Sequence, residues 1–79
     1  MTNQKLTLYH YRTCPFCIKV EQFLDEKALK VPIIYIDEDS KAFEMLYEKT
    51  GSVQAPCLQI GDEFMRESDD IIVFLGANS

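Results

Sequence analysis

The feature that most constrains the fold is the junction at Cys14-Pro15-Phe16-Cys17, where a strand-like segment runs directly into a helix-like one. Residues 6–11 are rich in β-branched and aromatic side chains, which is typical of a buried strand. Pro15 suits the first position of a helix, because the N–H that proline lacks has no partner there. Helical spacing then predicts a helix that ends near residues 27–30, with one apolar face formed by Phe16, Val20, Phe23 and Leu24.

The chain after this junction continues to alternate between strand and helix patterns. Residues 33–36 form a short β-branched run after Pro32 and predict a second buried strand. Residues 37–40 offer polar caps for a second helix that stops at Gly51. The apolar positions of this helix recur at helical spacing and are Ala42, Phe43, Leu46 and Tyr47.

Two further strand patterns predict a hairpin around Gly61-Asp62, namely residues 57–60 and residues 63–66. The polar run 68–70 predicts the capped start of a last helix, which extends through Leu75 and stops at Gly76. The first two strands are joined through a helix and should be parallel, whereas the hairpin adds antiparallel strands. We therefore expect a β-α-β-α-β-β-α chain, an α/β fold with a four-stranded mixed sheet flanked by helices.

Length and composition limit the chain to one small domain. With 79 residues, of which 47% are hydrophobic, it can build one core, and we expect a single domain over residues 1–79. The net charge of −5, without any stretch rich in lysine and arginine, argues against a nucleic-acid partner. No apolar run approaches the length of a membrane span, and the polar N-terminus does not resemble a signal peptide. A cytoplasmic protein without a membrane partner is expected.

The chemistry of the chain is indicated first by its cysteines. Three cysteines are too few for a secreted disulfide scaffold, and in a reducing compartment a Cys-x-x-Cys pair indicates redox or metal chemistry. The free N–H groups and the dipole at a helix start stabilise a thiolate, so Cys14 is the expected nucleophile. Cys17 lies one turn along the helix and suits the resolving role, and Arg12 adds positive charge nearby. The alternatives are two ordinary buried thiols or a metal site.

Two other segments carry weaker signals. The peptide bond before Pro56 is expected to be trans on frequency alone, although a cis bond would turn the N–H and C=O of Ala55 outward to pair with an extended peptide. Residues 67–70 could hold an amino-acid head group on free helix N–H groups, but a capped helix start is the simpler interpretation. Cys57 is expected to be a small buried residue and His10 a packing residue.

Taken together, these features resemble the glutaredoxin family over residues 6–75. The resemblance lies in the Cys-Pro-Phe-Cys motif, in the Ala-Pro pair before a strand, in the glycine of the hairpin and in the two aspartates of the last helix, all in the family's order: Cys14 to Cys17, Ala55-Pro56, Gly61 and Asp69-Asp70. It implies a thioredoxin-like fold, a cis bond before Pro56 and glutathione as ligand. The ligand's cysteinyl backbone would pair with Ala55, and its γ-glutamyl carboxylate would bind the N–H groups of Ser68 and Asp69.

The sequence also departs from the glutaredoxin pattern. The family usually has a lysine where Tyr11 stands, and Arg12 is the expected substitute in binding the ligand's glycyl carboxylate. Tyr11 itself is expected to line the groove beside the thiol. Gln54 replaces the usual threonine of the cis-proline segment, and Phe16 could offer an apolar contact to the ligand. Glu67-Ser68, followed by Ile71, Phe74 and Leu75, is similar instead to the N-terminal domain of glutathione transferases. Both resemblances imply glutathione.

The sequence thus predicts a monomeric, glutathione-dependent thiol–disulfide oxidoreductase. Its expected substrates are protein disulfides and protein–glutathione mixed disulfides, and it would need no metal or organic cofactor, with glutathione as co-substrate. The first alternative is an electron donor of the same fold that is reduced by a thioredoxin reductase. The others are an interaction domain without catalysis, a zinc module with Cys14, Cys17 and either Cys57 or His10 as ligands, and a dimer that shares an iron–sulfur cluster through Cys14 and glutathione.

Overall fold

A mixed sheet and three helices form the framework of the molecule, for which a computed structural model describes residues 5–77. The polar N-terminal residues 1–4 lie outside the described residues. The elements follow the predicted order, which is confirmed: β1 (Leu6–His10), α1 (Pro15–Glu26), β2 (Ile33–Tyr35), α2 (Ser40–Thr50), β3 (Cys57–Ile60), β4 (Glu63–Met65) and α3 (Ser68–Ala77). Within this part of the chain, no helix has the length and apolar character that crossing a membrane requires.

The sheet has the strand order β2-β1-β3-β4, so β1 is an inner strand. It pairs in parallel with β2 and antiparallel with β3, and β4 joins the far side of β3 as the second arm of the hairpin. The parallel pair follows from the helical connection, because a crossover of this length returns the chain in the same direction. This arrangement brings the end of β1 and the start of β3 next to each other.

Alternate residues of β1 face two separate parts of the core. Leu8 belongs to the cluster under α1 and α3, and its buried members are Leu8, Val20, Leu24, Leu58, Ile60, Ile71 and Leu75. Tyr9 belongs to the cluster under α2, and its buried members are Tyr9, Ile36, Ala42, Leu46 and Cys57. This alternation follows from the two-residue period of a strand. His10 therefore shares the α1 face of the sheet with Leu8.

The predicted helix faces need correction at three aromatic residues. Phe16 is 60% exposed, because Cys17 takes the inward position of the first turn and the next-door residue points about 100° away around the helix axis. On α2, Phe43 and Tyr47 are also exposed, and only Ala42 and Leu46 are buried. These short helices therefore cover the sheet with fewer and smaller side chains than the periodicity indicates.

The helix caps of α2 are confirmed. The side chain of Asp39 accepts a hydrogen bond from the backbone N–H of Ala42, with an N–O distance of 3.1 Å. Gly51 ends the helix in the left-handed conformation with φ of 76°, and its N–H donates to the carbonyl of Tyr47. Both devices satisfy backbone groups that the ends of a helix leave unpaired.

Several element boundaries differ from the prediction by one to a few residues. β1 ends at His10, β2 at Tyr35, α1 at Glu26 and β4 at Met65. Beyond β2, Ile36 is buried but stands outside the strand, although its N–H still donates to the carbonyl of His10 at 2.9 Å. The apolar pattern thus continues one residue past the end of β2, and the sequence alone cannot show where the strand ends.

The prediction that Gly76 stops the last helix is wrong, since α3 continues to Ala77. A Cβ atom added to Gly76 would lie 3.4 Å from the ring of Phe23, so this glycine sits where α3 approaches α1 closely. At its other end, α3 begins at Ser68, and the carbonyl of Glu67 accepts the first helical hydrogen bond, from Ile71. Ser68 is therefore the first helical residue, and the capping position falls on Glu67.

Candidate active site

The two cysteines of the motif differ in their exposure. Cys14 is the N-cap of α1, with extended backbone angles, and Pro15 is the first helical residue. The Cys14 side chain is half-buried, whereas Cys17 is fully buried on the inward face of the helix. No side chain caps this helix start, so its free N–H groups are directed toward the region of the Cys14 sulfur. An incoming disulfide can reach only the first of the two thiols.

The loop before β3 lies against this first thiol. The Cys14 Sγ is 3.7 Å from the carbonyl oxygen of Ala55, to which the thiol donates a weak hydrogen bond. The Ala55–Pro56 peptide bond is cis, which confirms the conformation implied by the resemblance and overturns the expectation based on frequency. A residue 41 positions further along the chain therefore forms the wall beside the sulfur.

Burial strongly disfavours ionisation of the second thiol. It raises the pKa of Cys17 to about 12, and a backbone hydrogen bond from Tyr11 opposes this effect only in part. The neighbouring Cys14 and the charge of Glu21 raise the pKa further. At neutral pH, Cys17 is therefore a protonated thiol, and any reaction that it performs as a nucleophile requires a group that removes its proton.

A groove of about 330 Å³ beside the dithiol collects most of the predicted ligand-binding residues. It is lined by Phe16, Gln54, Ala55, Pro56, Arg66, Glu67 and Ser68. Three segments that are distant in sequence meet here, namely the start of α1, the cis-proline loop and the start of α3. A larger groove of about 770 Å³ lies between α1 and β2. It contains none of the predicted site residues, and the smaller groove is therefore the candidate site.

Arg66 is a groove residue that the sequence analysis did not single out. It is exposed, and its charge lowers the pKa of Cys57 against the larger effect of burial. A cation one residue before the predicted head-group segment was a signal that could have identified it, because anionic ligands need such a partner.

Arg12 has partners away from the groove. Its guanidinium forms an ion pair with Glu38, and its Nη2 donates to that carboxylate at 3.1 Å. The guanidinium carbon also lies 4.1 Å from the centre of the Tyr35 ring. Hydrogen bonding to Arg12 lowers the pKa of Glu38 in return. Arg12 therefore contacts residues at the end of β2 and just beyond it, and it does not line the groove.

Tyr11 connects the end of β1 to the cis-proline loop. Its hydroxyl donates to the carbonyl of Val53 at 2.8 Å, and its pKa is raised by burial and by the nearby charges of Asp37, Cys17 and Cys14. Tyr11 thus lies beside both thiols, but it does not line the groove. Its role in the structure is to hold the loop against the strand.

Asp69, which was predicted to bind the ligand through its backbone, makes an ion pair with its side chain. Its carboxylate accepts from the ammonium of Lys19 at 2.7 Å, which links α3 to α1 on the surface. Asp69 does not line the groove, whereas the preceding Ser68 and Glu67 do. The predicted contact of a ligand with the backbone N–H of Asp69 stays a prediction.

A partly buried polar cluster next to the dithiol was missed by the sequence analysis. His10 is fully buried, and its Nδ1 lies 2.8 Å from the Oε2 of Glu21. The hydroxyl of Tyr35 lies 3.3 Å from both carboxylate oxygens of the same Glu21. Burial lowers the pKa of His10 despite the carboxylate beside it, so the imidazole is neutral. The packing role expected for His10 is correct, but the carboxylate partner from α1 could not be read from either local pattern.

Cys57 lies on the opposite face of the sheet from His10, in the cluster under α2. It is fully buried, and burial raises its pKa to about 11. This placement agrees with the small buried residue that was predicted. Among residues 5–77, no three or more His, Cys, Asp and Glu side chains are grouped so that they could hold a metal ion.

The fold and the Cys-x-x-Cys motif at a helix start, with one half-buried and one fully buried thiol, define a thioredoxin-like protein. The family model of the glutathione S-transferase N-terminal domain matches residues 8–79. A probable glutaredoxin of Synechocystis sp. is 32% identical over 74 residues, which cover 92% of this chain and 84% of that protein. The chain belongs to the glutaredoxin-like family of thioredoxin-fold proteins, a family of redox oxidoreductases.

Other similar proteins include a much longer relative and two solved structures. Prostaglandin E synthase 2 of Mus musculus is 32% identical over 69 residues, but the chain spans only 18% of that protein. The glutaredoxin-like NrdH-redoxin of Escherichia coli superimposes with a TM-score of 0.75 at 24% identity, over 90% of this chain and 93% of that one. A buckwheat glutaredoxin–glutathione complex gives a TM-score of 0.71 at 19% identity, over 95% and 71%. These two structures show the shared fold.

Proposed function

We propose that this chain is a glutathione-dependent thiol–disulfide oxidoreductase with Cys14 as nucleophile and Cys17 as resolving thiol. The observation that carries the proposal is the half-buried Cys14 sulfur at the start of α1, 3.7 Å from the Ala55 carbonyl and beside the groove. Its substrates are protein disulfides and protein–glutathione mixed disulfides. The chemistry uses thiols alone, without a metal or an organic cofactor.

The reaction begins at Cys14. Its thiolate attacks one sulfur of the substrate disulfide, a new S–S bond forms at Cys14, and the other substrate sulfur leaves as a thiolate. Either Cys17 or a second thiol from glutathione then attacks the mixed disulfide and releases the bound group. Glutathione restores the dithiol, so two electrons pass from two glutathione molecules to the substrate.

The groove provides polar groups for the tripeptide. The backbone of Ala55 is available to pair with the cysteinyl residue of glutathione as an added strand. The γ-glutamyl carboxylate would lie at the start of α3, on the N–H groups of Ser68 and Asp69. Arg66 is exposed in the same groove and offers the cation that a tripeptide with two carboxylates requires. Phe16 contributes an exposed apolar surface at the rim.

The test is the reduction of a small glutathione mixed disulfide, coupled through glutathione reductase to the oxidation of NADPH. The proposal expects steady turnover by the wild-type chain and none by Cys14→Ser, because the variant lacks the attacking sulfur. A wild-type chain that gives no turnover at millimolar glutathione would refute glutathione dependence.

A second candidate is a dithiol electron donor that is reduced by a thioredoxin reductase. It is favoured by the position of Arg12, whose guanidinium pairs with Glu38 instead of reaching the groove, while Tyr11 stands where glutaredoxins usually have a lysine. The NrdH-redoxin of Escherichia coli, itself a glutaredoxin-like protein, has a thioredoxin-like activity profile. Insulin reduction by the wild-type chain, with thioredoxin reductase and NADPH, separates the two candidates. The electron donor requires turnover with the reductase and none with glutathione.

A further inference from the structure

The resolving step poses a problem that the dithiol alone does not solve. Cys17 must lose its proton before it can attack the sulfur of Cys14, yet burial raises its pKa to about 12. At pH 7, only about one molecule in 100,000 would carry the thiolate at equilibrium. A nearby proton acceptor would remove this barrier.

Glu21 is the acidic residue whose charge acts on the Cys17 thiol. It follows Cys17 by four residues on α1, so both side chains share one face of the helix with about 5–6 Å between their Cβ atoms. Long helical side chains lean toward the N-terminus, which directs the Glu21 carboxylate toward the turn that holds Cys17. Its charge acts on the Cys17 thiol, behind the larger effect of burial. The Glu21 side chain is 32% exposed, so a proton that it accepts can pass on to water.

The partners of Glu21 hold the carboxylate without neutralising it. His10 is fully buried, and its Nε2 has no hydrogen-bond partner among the described residues. Since burial keeps this imidazole neutral, its single proton lies on Nδ1, which donates to Glu21 at 2.8 Å. The Tyr35 hydroxyl adds a second neutral donor. A lysine or arginine in either place would form an ion pair and make the carboxylate a poorer proton acceptor.

The other charged side chains near this cluster are exposed, namely Asp25 and Lys30, which line the groove between α1 and β2 together with Glu21. β1 contributes His10, β2 contributes Tyr35, and α1 contributes Glu21 and Cys17, whereas α3 turns its buried Ile71 and Leu75 toward the same core. Cys57 lies on the other face of the sheet. Arg12 stacks over the Tyr35 ring and pairs with Glu38 rather than with Glu21.

We infer that Glu21, held in place by His10 and Tyr35, accepts the proton of Cys17 during the resolving step. The inference rests on the proposed function, because it assigns the proton of its second half-reaction. The S–H bond of Cys17 breaks toward the carboxylate, the thiolate forms an S–S bond with Cys14, and the group held on Cys14 leaves as a thiolate. The neutral carboxylic acid then returns the proton to solvent or to that leaving group. His10 and Tyr35 are positioning residues in this step.

With Ellman's reagent, each of the two half-reactions releases a coloured thiolate, so both can be followed by absorbance. Attack by Cys14 releases a first aromatic thiolate and leaves a mixed disulfide, and attack by Cys17 on this intermediate releases a second. Stopped-flow absorbance of the reduced protein therefore gives one rate for each cysteine. The variant Cys17→Ser should release only the first thiolate. A first phase no faster than that of free cysteine would contradict the proposed function, whereas the inference concerns the second phase alone.

The decisive variant is Glu21→Gln, with Glu26→Gln as the matched control, because Glu26 is exposed and points about 140° away from Glu21 around the same helix. We expect Glu21→Gln to keep the first phase and to slow the second at least about tenfold at pH 7, with a gap that narrows toward pH 10 as hydroxide replaces the carboxylate. The control should match the wild type in both phases. If Glu21 acted only through its charge, its removal would favour the Cys17 thiolate and accelerate the second phase. A second phase that is unchanged or faster in Glu21→Gln therefore overturns the inference.

The positioning residues give an independent readout. His10→Leu removes the donor to Glu21 and should slow the second phase, whereas His10→Asn keeps an N–H near the position of Nδ1 and should restore most of the rate. Tyr35→Phe tests the second donor without disturbing the fully buried site of His10. Equal second-phase rates in the Leu and Asn variants, with Tyr35→Phe at the wild-type rate, would contradict the positioning role.

Discussion

The start of α1 and the groove beside it reach their chemistry by different routes. At the start of α1, the contrast between the two sulfurs follows from positions three residues apart, since Cys14 caps the helix and Cys17 faces the core. In the groove, Ala55 comes from a loop, Arg66 from the end of the hairpin and Ser68 from α3, and only the sheet brings them together. The difference in exposure between the two sulfurs is therefore a local property of this chain, whereas the groove depends on the whole fold.

The largest expected effect tests the contrast between the two sulfurs. Cys14→Ser should lower the turnover of a small glutathione mixed disulfide by at least about a thousandfold, because no other exposed thiol among the described residues can replace the nucleophile. Cys17→Ser should retain much of this activity, since glutathione can resolve the intermediate, but it should lose most activity on protein disulfides. Equal losses of both variants on the small substrate, measured in the NADPH-coupled assay, would contradict these roles.

The next effect concerns the buried thiols and alkaline pH. The folded-state pKa values of Cys17 and Cys57, about 12 and about 11, lie above the ordinary value of 9.0. Below pH 9 their contribution to stability is complete, and it is lost as the pH rises, because the unfolded chain releases protons that the folded chain keeps. The free energy of unfolding should fall by about 1.4 kcal/mol per pH unit for each thiol between pH 9 and 11. In urea titrations at several pH values, the free energy of unfolding of Cys57→Ala should fall less steeply with pH than that of the wild type. An equally steep fall in both proteins would argue against this account.

A smaller effect compares the two arginines at the site. Arg66→Ala should raise KM for the glutathione mixed disulfide about three- to fivefold with little change in kcat, since it removes an exposed cation from the groove. Arg12→Ala is the matched control and should leave KM nearly unchanged, because Glu38 holds this guanidinium elsewhere. A larger KM effect at Arg12 than at Arg66 would reverse the assignment of the ligand's cationic partner.

The smallest expected effect concerns a surface ion pair between the two regions. The ion pair of Lys19 and Asp69 joins α1 to α3, but both side chains are more than half exposed. Lys19→Ala should change the free energy of unfolding by no more than about 0.5 kcal/mol, as is usual for exposed pairs. A loss of several kcal/mol in urea unfolding would mean that this pair, rather than the apolar packing beneath it, holds the two helices together.

Particular residues show how far sequence reasoning reaches. The order of elements, the Asp39 and Gly51 caps and the position of the dithiol were predictable, because each depends on residues within a few positions of one another. The exposure of Phe16 and the helical position of Gly76 were not, since both depend on which neighbour occupies the inward place. For the same reason, local sequence patterns could single out the segments around Ala55 and Ser68 but could not show that they line one groove.

What the amino-acid sequence by itself determined is the pair of sulfurs at a helix start and the alternation of strands and helices around it. These follow from backbone preferences and from the periods of strand and helix, which act over short distances along the chain. Only the tertiary structure decided that Arg12 pairs with Glu38, that Arg66 faces the groove and that His10 meets Glu21 beside Cys17. Contacts between distant segments arise when the sheet and helices bury their apolar faces against each other, and a side chain's partners are then set by packing rather than by its neighbours in sequence.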